Sequence, residues 1–143
     1  MEIKNTMELK LPSLSVNEGF ARSVVGAFAT QLDPTLEEVA DIKTAVSEAV
    51  TNAIVHAYPQ TEGEIIISAS LSGRTLAVSV ADKGVGIRDI KQARQPFFST
   101  AGDESRSGMG FTVMETFMDE VTITSTPGQG TVVEMTKTIH TQG

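Results

Sequence analysis

Two side chains four positions apart, those of Glu48 and Asn52, are the best suited to chemistry in this sequence. In a helix, residues i and i+4 share one face, and this face lies away from the apolar stripe of the same segment. The small residues Ala45 and Ala49 leave room for a ligand beside it. A carboxylate and an amide supply the oxygen ligands that Mg²⁺ prefers. An isolated pair of this kind is usually a solvated helix face, so a metal site is indicated only if other segments join it.

A second motif, D-x-G-x-G, occupies residues 82–86 and directly follows a run of alternating apolar residues. Gly84 and Gly86 permit positive φ angles and let the backbone approach a ligand closely. Asp82, at the end of the predicted strand, can accept a hydrogen bond from an amino group such as that of adenine. The competing interpretation is an ordinary turn.

A third segment leads from a glycine-containing loop into a predicted helix. The backbone N–H groups of Gly108, Met109 and Gly110 would form an anion site there, and Arg106 adds a fixed positive charge. The alternative is a flexible loop followed by a simple helix start. Residues 97–107 lack apolar periodicity, so we expect them to be the most mobile segment in the free protein and to become protected when a ligand binds.

Composition narrows the possible functions. The sequence contains neither G-x-x-x-x-G-K-[ST] nor G-x-G-x-x-G after a first strand, so the two common phosphate-binding loops are excluded. With 143 residues, 40% of them hydrophobic, we expect a single domain over residues 1–143. The net charge of −7 argues against direct nucleic-acid binding, which needs clustered Lys and Arg. Cysteines are absent, and neither a signal peptide nor an apolar run of about 18 residues is present, so we expect a cytoplasmic protein without membrane association.

The spacing of apolar residues predicts the elements that would position these motifs. Helices are expected over residues 16–32, from 35 to about 56 and over 111–118, and strands over 7–11, 65–71, 76–80, 121–126 and 131–139. Ser15 with Glu18, and Thr35 with Glu38, are spaced as capping boxes for the first two helices. This order predicts an α+β fold, a two-layer sandwich with a mixed, mainly antiparallel sheet and helices on one face.

The order of the three motifs resembles the Bergerat-type ATP-binding fold of gyrase, Hsp90, histidine kinases and MutL. Within that superfamily, four segments are similar to the anti-sigma factor serine kinases: SEAVTNAIVHAY, DKGVGI, ARQPFFST and RSGMGFTVMETFMDEV. The similarity covers residues 20–131. The FAR start of the first helix, the LDPT turn and the FMDEV stretch most resemble the sporulation branch of this family, and the general stress (anti-sigma B) branch is the second choice.

The resemblance implies roles for the catalytic and partner-binding residues. Glu48 would be the general base that orients the attacking serine hydroxyl of a protein substrate. Asn52 would hold Mg²⁺ where it bridges the phosphates of ATP, and Arg106 would reach toward the terminal phosphate. Arg22, on the first helix, matches a family position that contacts the sigma factor.

The same resemblance implies the nucleotide pocket. Asp82 would recognise the adenine amino group, Gly84 and Gly86 would shape the pocket, and Thr131 would lie near the base. The loop formed by residues 108–110 would wrap the phosphates. Family lids often carry a lysine shortly before the matching arginine, whereas this chain reads AGDE in that stretch, a departure that bears on how the lid closes.

The function implied is that of an anti-sigma factor acting as a homodimer. It would hold a sporulation sigma factor while ATP is bound and, as an ATP-dependent serine protein kinase, phosphorylate and inactivate the anti-anti-sigma factor. A sigma-binding module that holds nucleotide without transferring phosphate is the alternative, and Glu48 favours the enzyme because structural nucleotide binding needs no carboxylate beside Mg²⁺. The catalytic domain of a histidine kinase is disfavoured, since the sequence leaves no room for a helix pair bearing a phosphoacceptor histidine.

Overall fold

The computed structural model describes residues 4–57, 62–84 and 108–140. Three helices and five strands follow one another in these ranges. In chain order they are β1 (Lys4–Pro12), α1 (Val16–Ala29) with a 3₁₀ turn (Thr30–Leu32), α2 (Leu36–Asn52) with a π-helical turn (Ala53–Ala57), β2 (Glu64–Ser72), β3 (Thr75–Asp82), α3 (Gly108–Phe117), β4 (Glu120–Thr126) and β5 (Gly130–Thr138). Each predicted helix and strand therefore has a counterpart, with ends shifted by a few residues.

The strands form one sheet in the order β1-β2-β3-β5-β4, and each described neighbour pair is antiparallel. Burial alternates along β2 and β3, as expected when one face of a sheet is covered and the other is not. The covered face and the three helices contribute to a single hydrophobic core. The predicted α+β sandwich with helices on one face is confirmed. None of the helices within the described ranges has both the length and the apolarity needed to cross a bilayer.

The start of α2 is capped as the sequence predicts. The Thr35 hydroxyl accepts a hydrogen bond from the Glu38 backbone N–H at 3.0 Å, and the Glu38 carboxylate accepts one from the Thr35 backbone N–H at 2.9 Å. Thr35 has the extended backbone conformation that this reciprocal bonding requires. The box fixes where α2 begins, and therefore where Glu48 and Asn52 fall along the helix.

The capping box predicted for α1 is wrong. Ser15 has helical backbone angles, φ −59° and ψ −29°, and its side chain makes no cap hydrogen bond. A side chain on helical backbone does not fold back onto the first turn as an extended N-cap residue does. The Glu18 carboxylate instead accepts a hydrogen bond from the Ser47 hydroxyl on α2 and pairs with Arg22. At this helix start, the contact of Glu18 with α2 therefore replaces the capping hydrogen bonds that the sequence predicts.

The two serine/threonine caps provide a matched stability test. We expect Thr35→Ala to lower the free energy of unfolding by about 1 kcal/mol, because it removes the hydroxyl that accepts the N-cap hydrogen bond. Ser15→Ala should cost only a small fraction of this, because no cap bond is broken. Urea denaturation of both variants against the parent protein measures the difference, and equal losses would contradict the capping assignment.

Candidate functional site

Asp82 and Thr131 face each other at the end of the sheet. They are cross-strand partners of β3 and β5. One oxygen of the Asp82 carboxylate accepts hydrogen bonds from the backbone N–H of Gly84 at 2.9 Å and of Thr131 at 3.2 Å. These bonds fix the carboxylate at the strand end and tie the start of the D-x-G-x-G segment to β5. Sequence reasoning singled out all three residues, and the structure brings them together.

Two further residues support this corner and were missed from the sequence. The Ser125 hydroxyl on β4 donates to the Gly130 carbonyl at 3.1 Å and lies 2.8 Å from the Thr131 hydroxyl. Gly130 has φ 112°, and a Cβ built on it would lie 2.7 Å from the Lys83 Cα. The backbone of β5 therefore runs directly against the Asp82 segment, which only a glycine permits. Residues 127–130 read P-G-Q-G, which indicates a turn between β4 and β5, although this pattern does not reveal which strand end lies opposite.

Asn52, at the end of α2, lines the same small pocket as Asp82 and Thr131. Its walls come from α2, β3, α3 and β5, with Phe111 of α3 closing the apolar side. The Asn52 Nδ2 atom is buried and has no hydrogen-bond partner among the described residues. The pocket has a volume of about 10 Å³. This is room for one water molecule, so entry of an aromatic base requires the pocket to widen.

Glu48 lies one turn earlier on α2 and lines a different hollow. This groove, between α1 and α2, is also lined by Arg22 and Lys43. Burial, and in second place the negative charge of Glu18, raise the pKa of Glu48 above the usual glutamate value. A carboxylate with a raised pKa is a better proton acceptor, which is the property that a general base needs.

The remaining predicted site residues lie at or beyond the edge of the described ranges. Gly86, Arg106 and the segment 97–107 predicted to be mobile are outside the described residues. The loop residues 108–110 form the first turn of α3, as the sequence predicts for a helix start. A larger hollow of about 500 Å³ lies on the open face of the sheet, and its lining contains none of the predicted site residues. The candidate site is therefore the corner of Asn52, Asp82 and Thr131, with Glu48 in the adjoining groove.

Known proteins resemble this chain in sequence and in fold. A family described as histidine kinase-like ATPase domain matches residues 12–137. Among similar proteins, an Anti-sigma F factor of Thermoanaerobacter sp. is 60% identical over 139 residues, 97% of each chain. An Anti-sigma F factor of Bacillus subtilis is 51% identical over 136 residues, 94% of this chain and 93% of that one. The crystal structure of the RsbU and RsbW domains of a Mycobacterium tuberculosis protein has a TM-score of 0.69 at 21% identity, over 94% of this chain and 32% of the other, which is a likeness of fold.

Proposed function

The chain belongs to the histidine kinase-like ATPase family and, within it, to the anti-sigma F factors, and from this we propose that it sequesters a sporulation sigma factor of the sigma F type. We further propose that it is an ATP-dependent serine protein kinase that phosphorylates and inactivates the anti-anti-sigma factor. It does so as a homodimer in which residues 1–143 of each copy form one domain, and it acts in the cytoplasm, where sigma factors operate.

One observation carries the nucleotide part of this proposal. Asn52, Asp82 and Thr131 belong to three different elements and meet at one pocket, although the sequence separates Asn52 from Thr131 by most of the chain. Within the part of the chain that the structure describes, the buried amide nitrogen of Asn52 has no hydrogen-bond partner. A buried donor without a partner costs about 1–3 kcal/mol, so a ligand acceptor that satisfies it is favoured. An apolar wall at Phe111 and hydrogen-bonding groups at Asp82 suit a heteroaromatic base.

The residues also fit ATP with Mg²⁺. The Asn52 amide offers one oxygen for the metal and one N–H for a phosphate oxygen. Mg²⁺ is usually held by one or two protein oxygens together with phosphates and water, so a single amide ligand is sufficient. Bound Mg²⁺ would neutralise charge on the phosphates. Asp82 would accept from the adenine amino group, Gly84 and Gly86 would shape the pocket, residues 108–110 and Arg106 would contact the phosphates, and Thr131 would lie beside the base.

The surroundings of Glu48 support phosphate transfer, as opposed to nucleotide binding alone. Its carboxylate is half-buried in a groove that is open between α1 and α2, where an extended protein segment can reach it. Burial raises its pKa, with the charge of Glu18 adding to the effect. The serine hydroxyl of the substrate would give its proton to Glu48 as its oxygen attacks the terminal phosphate. Arg22, in the same groove, would contact the sigma factor.

The nucleotide proposal is tested by thermal stability. Saturating Mg·ATP should raise the melting temperature, since a ligand at 100 times its Kd adds about 2.7 kcal/mol to the folded state. Asp82→Asn should weaken ATP binding about tenfold or more. The amide NH₂ would then face the adenine amino group in place of the carboxylate oxygen that accepts its hydrogen bond. Asp33→Asn is the matched control, since Asp33 lies in a turn with left-handed backbone that asparagine also adopts.

Two outcomes of that experiment would contradict the proposal. A melting curve that is unchanged by Mg·ATP would contradict nucleotide binding. If Asp82→Asn weakens the binding of a non-adenine nucleotide as much as that of ATP, Asp82 does not recognise adenine. Incubation with labelled ATP, a sigma factor and its antagonist then separates the kinase from a nucleotide-dependent clamp. A labelled serine in the antagonist supports the kinase, and sigma capture without label supports the clamp. Preference for a general stress sigma factor would point to the anti-sigma B type instead.

A further inference from the structure

Three polar side chains lie side by side across the end of the sheet. Thr131 of β5 is the cross-strand partner of Asp82 on β3 and of Ser125 on β4. Cross-strand partners place their side chains on the same face of a sheet, which here is the covered face. The next residue in this row, Ile65 of β2, is apolar and buried. The polar part of the row therefore ends at Asp82, and Asp82 and Thr131 line the candidate nucleotide pocket.

The direction of the hydrogen bonds in this row follows from the number of protons available. The Ser125 hydroxyl has one proton and donates it to the Gly130 carbonyl at 3.1 Å, because a carbonyl oxygen only accepts. The Thr131 hydroxyl lies 2.8 Å from the Ser125 hydroxyl. Since the serine proton is directed to Gly130, Thr131 is the donor in this contact. The Thr131 proton is therefore directed toward β4 and away from Asp82.

The pocket edge formed by β3 and β5 consequently offers acceptors. With its proton on the Ser125 side, the Thr131 hydroxyl presents lone pairs to the pocket. The neighbouring carboxylate of Asp82, when ionised, also only accepts. Two adjacent acceptors match the two protons of an exocyclic amino group. They do not match a keto oxygen, which has no proton to donate.

We propose that Ser125 is a positioning residue for base selection. By accepting the Thr131 proton, it makes Thr131 an acceptor that binds the 6-amino group of adenine together with Asp82 and disfavours a 6-keto base. This inference rests on the proposed nucleotide pocket, and it adds the residue that sets the direction of one of its hydrogen bonds.

The rigidity of the corner supports this role. The carbonyl that receives the Ser125 proton belongs to Gly130, whose backbone lies so close to the Asp82 segment that a Cβ there would lie 2.7 Å from the Lys83 Cα. Thr131 is only 7% exposed, so water does not readily replace a missing partner of its hydroxyl. A buried acceptor that faces another acceptor reduces affinity about tenfold or more. The direction of the Thr131 hydroxyl therefore has a measurable effect on which base binds.

The inference is tested by isothermal titration of the full-length protein with Mg·ATP and with Mg·ITP, whose base has a 6-keto group. The parent should prefer ATP. Ser125→Ala lets the Thr131 proton turn to the keto oxygen, so ITP should bind about three- to tenfold more tightly than to the parent, while ATP binding changes less than about twofold. Ser125→Thr keeps the hydroxyl and should keep the preference of the parent. Thr124→Ala, which removes an exposed hydroxyl from the same strand, is the matched control and should change neither affinity.

Thr131→Val shows whether the effect acts through Thr131. Valine has no hydroxyl, so ATP binding should weaken about tenfold. In this background, Ser125→Ala should no longer change the ratio of the ATP and ITP affinities. A change in the ratio that persists there overturns the inference. Equal weakening of both nucleotides by Ser125→Ala also overturns it, because a purely structural role lowers affinity without changing the preference.

These measurements do not depend on phosphate transfer, so they separate the inference from the proposed function. If the parent binds neither nucleotide, the nucleotide pocket and this inference are both overturned. If ATP binds but Ser125→Ala keeps the preference of the parent, the inference alone is overturned. The expected pattern of affinities without phosphorylation of the antagonist supports the inference and overturns the kinase.

Discussion

Glu48→Gln should reduce phosphorylation of the antagonist by about two orders of magnitude or more, the usual contribution of a general base. Glutamine keeps the shape and the hydrogen-bonding capacity of the side chain but does not accept the serine proton. ATP affinity and sigma binding should change little, since they depend on Asn52, Asp82 and Arg22. Single-turnover phosphorylation, measured beside both affinities, tests this separation.

Two results would refute this role of Glu48. A rate that survives in Glu48→Gln means that another group takes the proton. Collapse of nucleotide binding means that Glu48 holds the metal or the fold. Glu37→Gln, which changes an exposed charge on the same helix, should leave rate and affinity near those of the parent protein.

Glu48→Gln should also stabilise the protein at neutral pH. Burial, and then the charge of Glu18, raise the pKa of Glu48 above the ordinary value of 4.5. The folded state therefore binds the proton more tightly than the unfolded chain, and ionisation of Glu48 lowers stability as pH rises through the folded-state pKa. Glu48→Gln removes this penalty, so its melting temperature should exceed that of the parent at neutral pH. The difference should vanish below about pH 4.5, where Glu48 is protonated in both states.

Gly130→Ala should be the most damaging change outside the catalytic groove. At φ 112° an alanine is strained, and its Cβ would lie 2.9 Å from the Asp82 carbonyl carbon and 2.7 Å from the Lys83 Cα. These are backbone atoms, so no side-chain rotation relieves the contact. Strain and clash together should cost about 3 kcal/mol or more. The displaced Asp82 should also weaken ATP binding, which isothermal titration of the folded variant measures.

Gly128→Ala is the matched control for that prediction. Gly128 also has a positive φ, 79°, but a Cβ there meets nothing within 4 Å. It should therefore cost about 1 kcal/mol, the usual penalty for a residue other than glycine in the left-handed region, and leave ATP binding intact. If the two variants lose equal stability, the contact between Gly130 and the Asp82 segment is not what requires glycine.

The sequence by itself determined the elements and the side of the sheet that is buried. Alternation along β2 and β3 is a period-two signal that survives any tertiary arrangement, because a strand must place neighbouring side chains on opposite faces. The capping box of Thr35 and Glu38 is equally local, and it forms. The order of the motifs led to the family, and the resemblance led to three of the residues that line the pocket, Asn52, Asp82 and Thr131.

Tertiary structure decided how those residues are supported and what surrounds Glu48. The Glu18 carboxylate could bond locally to its own helix start or to Ser47, 29 positions away, and the packing of α1 on α2 selects the second. Gly130 reads as an ordinary turn residue until β5 is placed against β3, where its missing Cβ accommodates the backbone of Asp82 and Lys83. Both outcomes depend on contacts between segments distant in sequence. The periodicity of apolar residues reflects only neighbours along the chain, so it does not predict such contacts. In the folded protein, local preferences and long-range contacts are satisfied together.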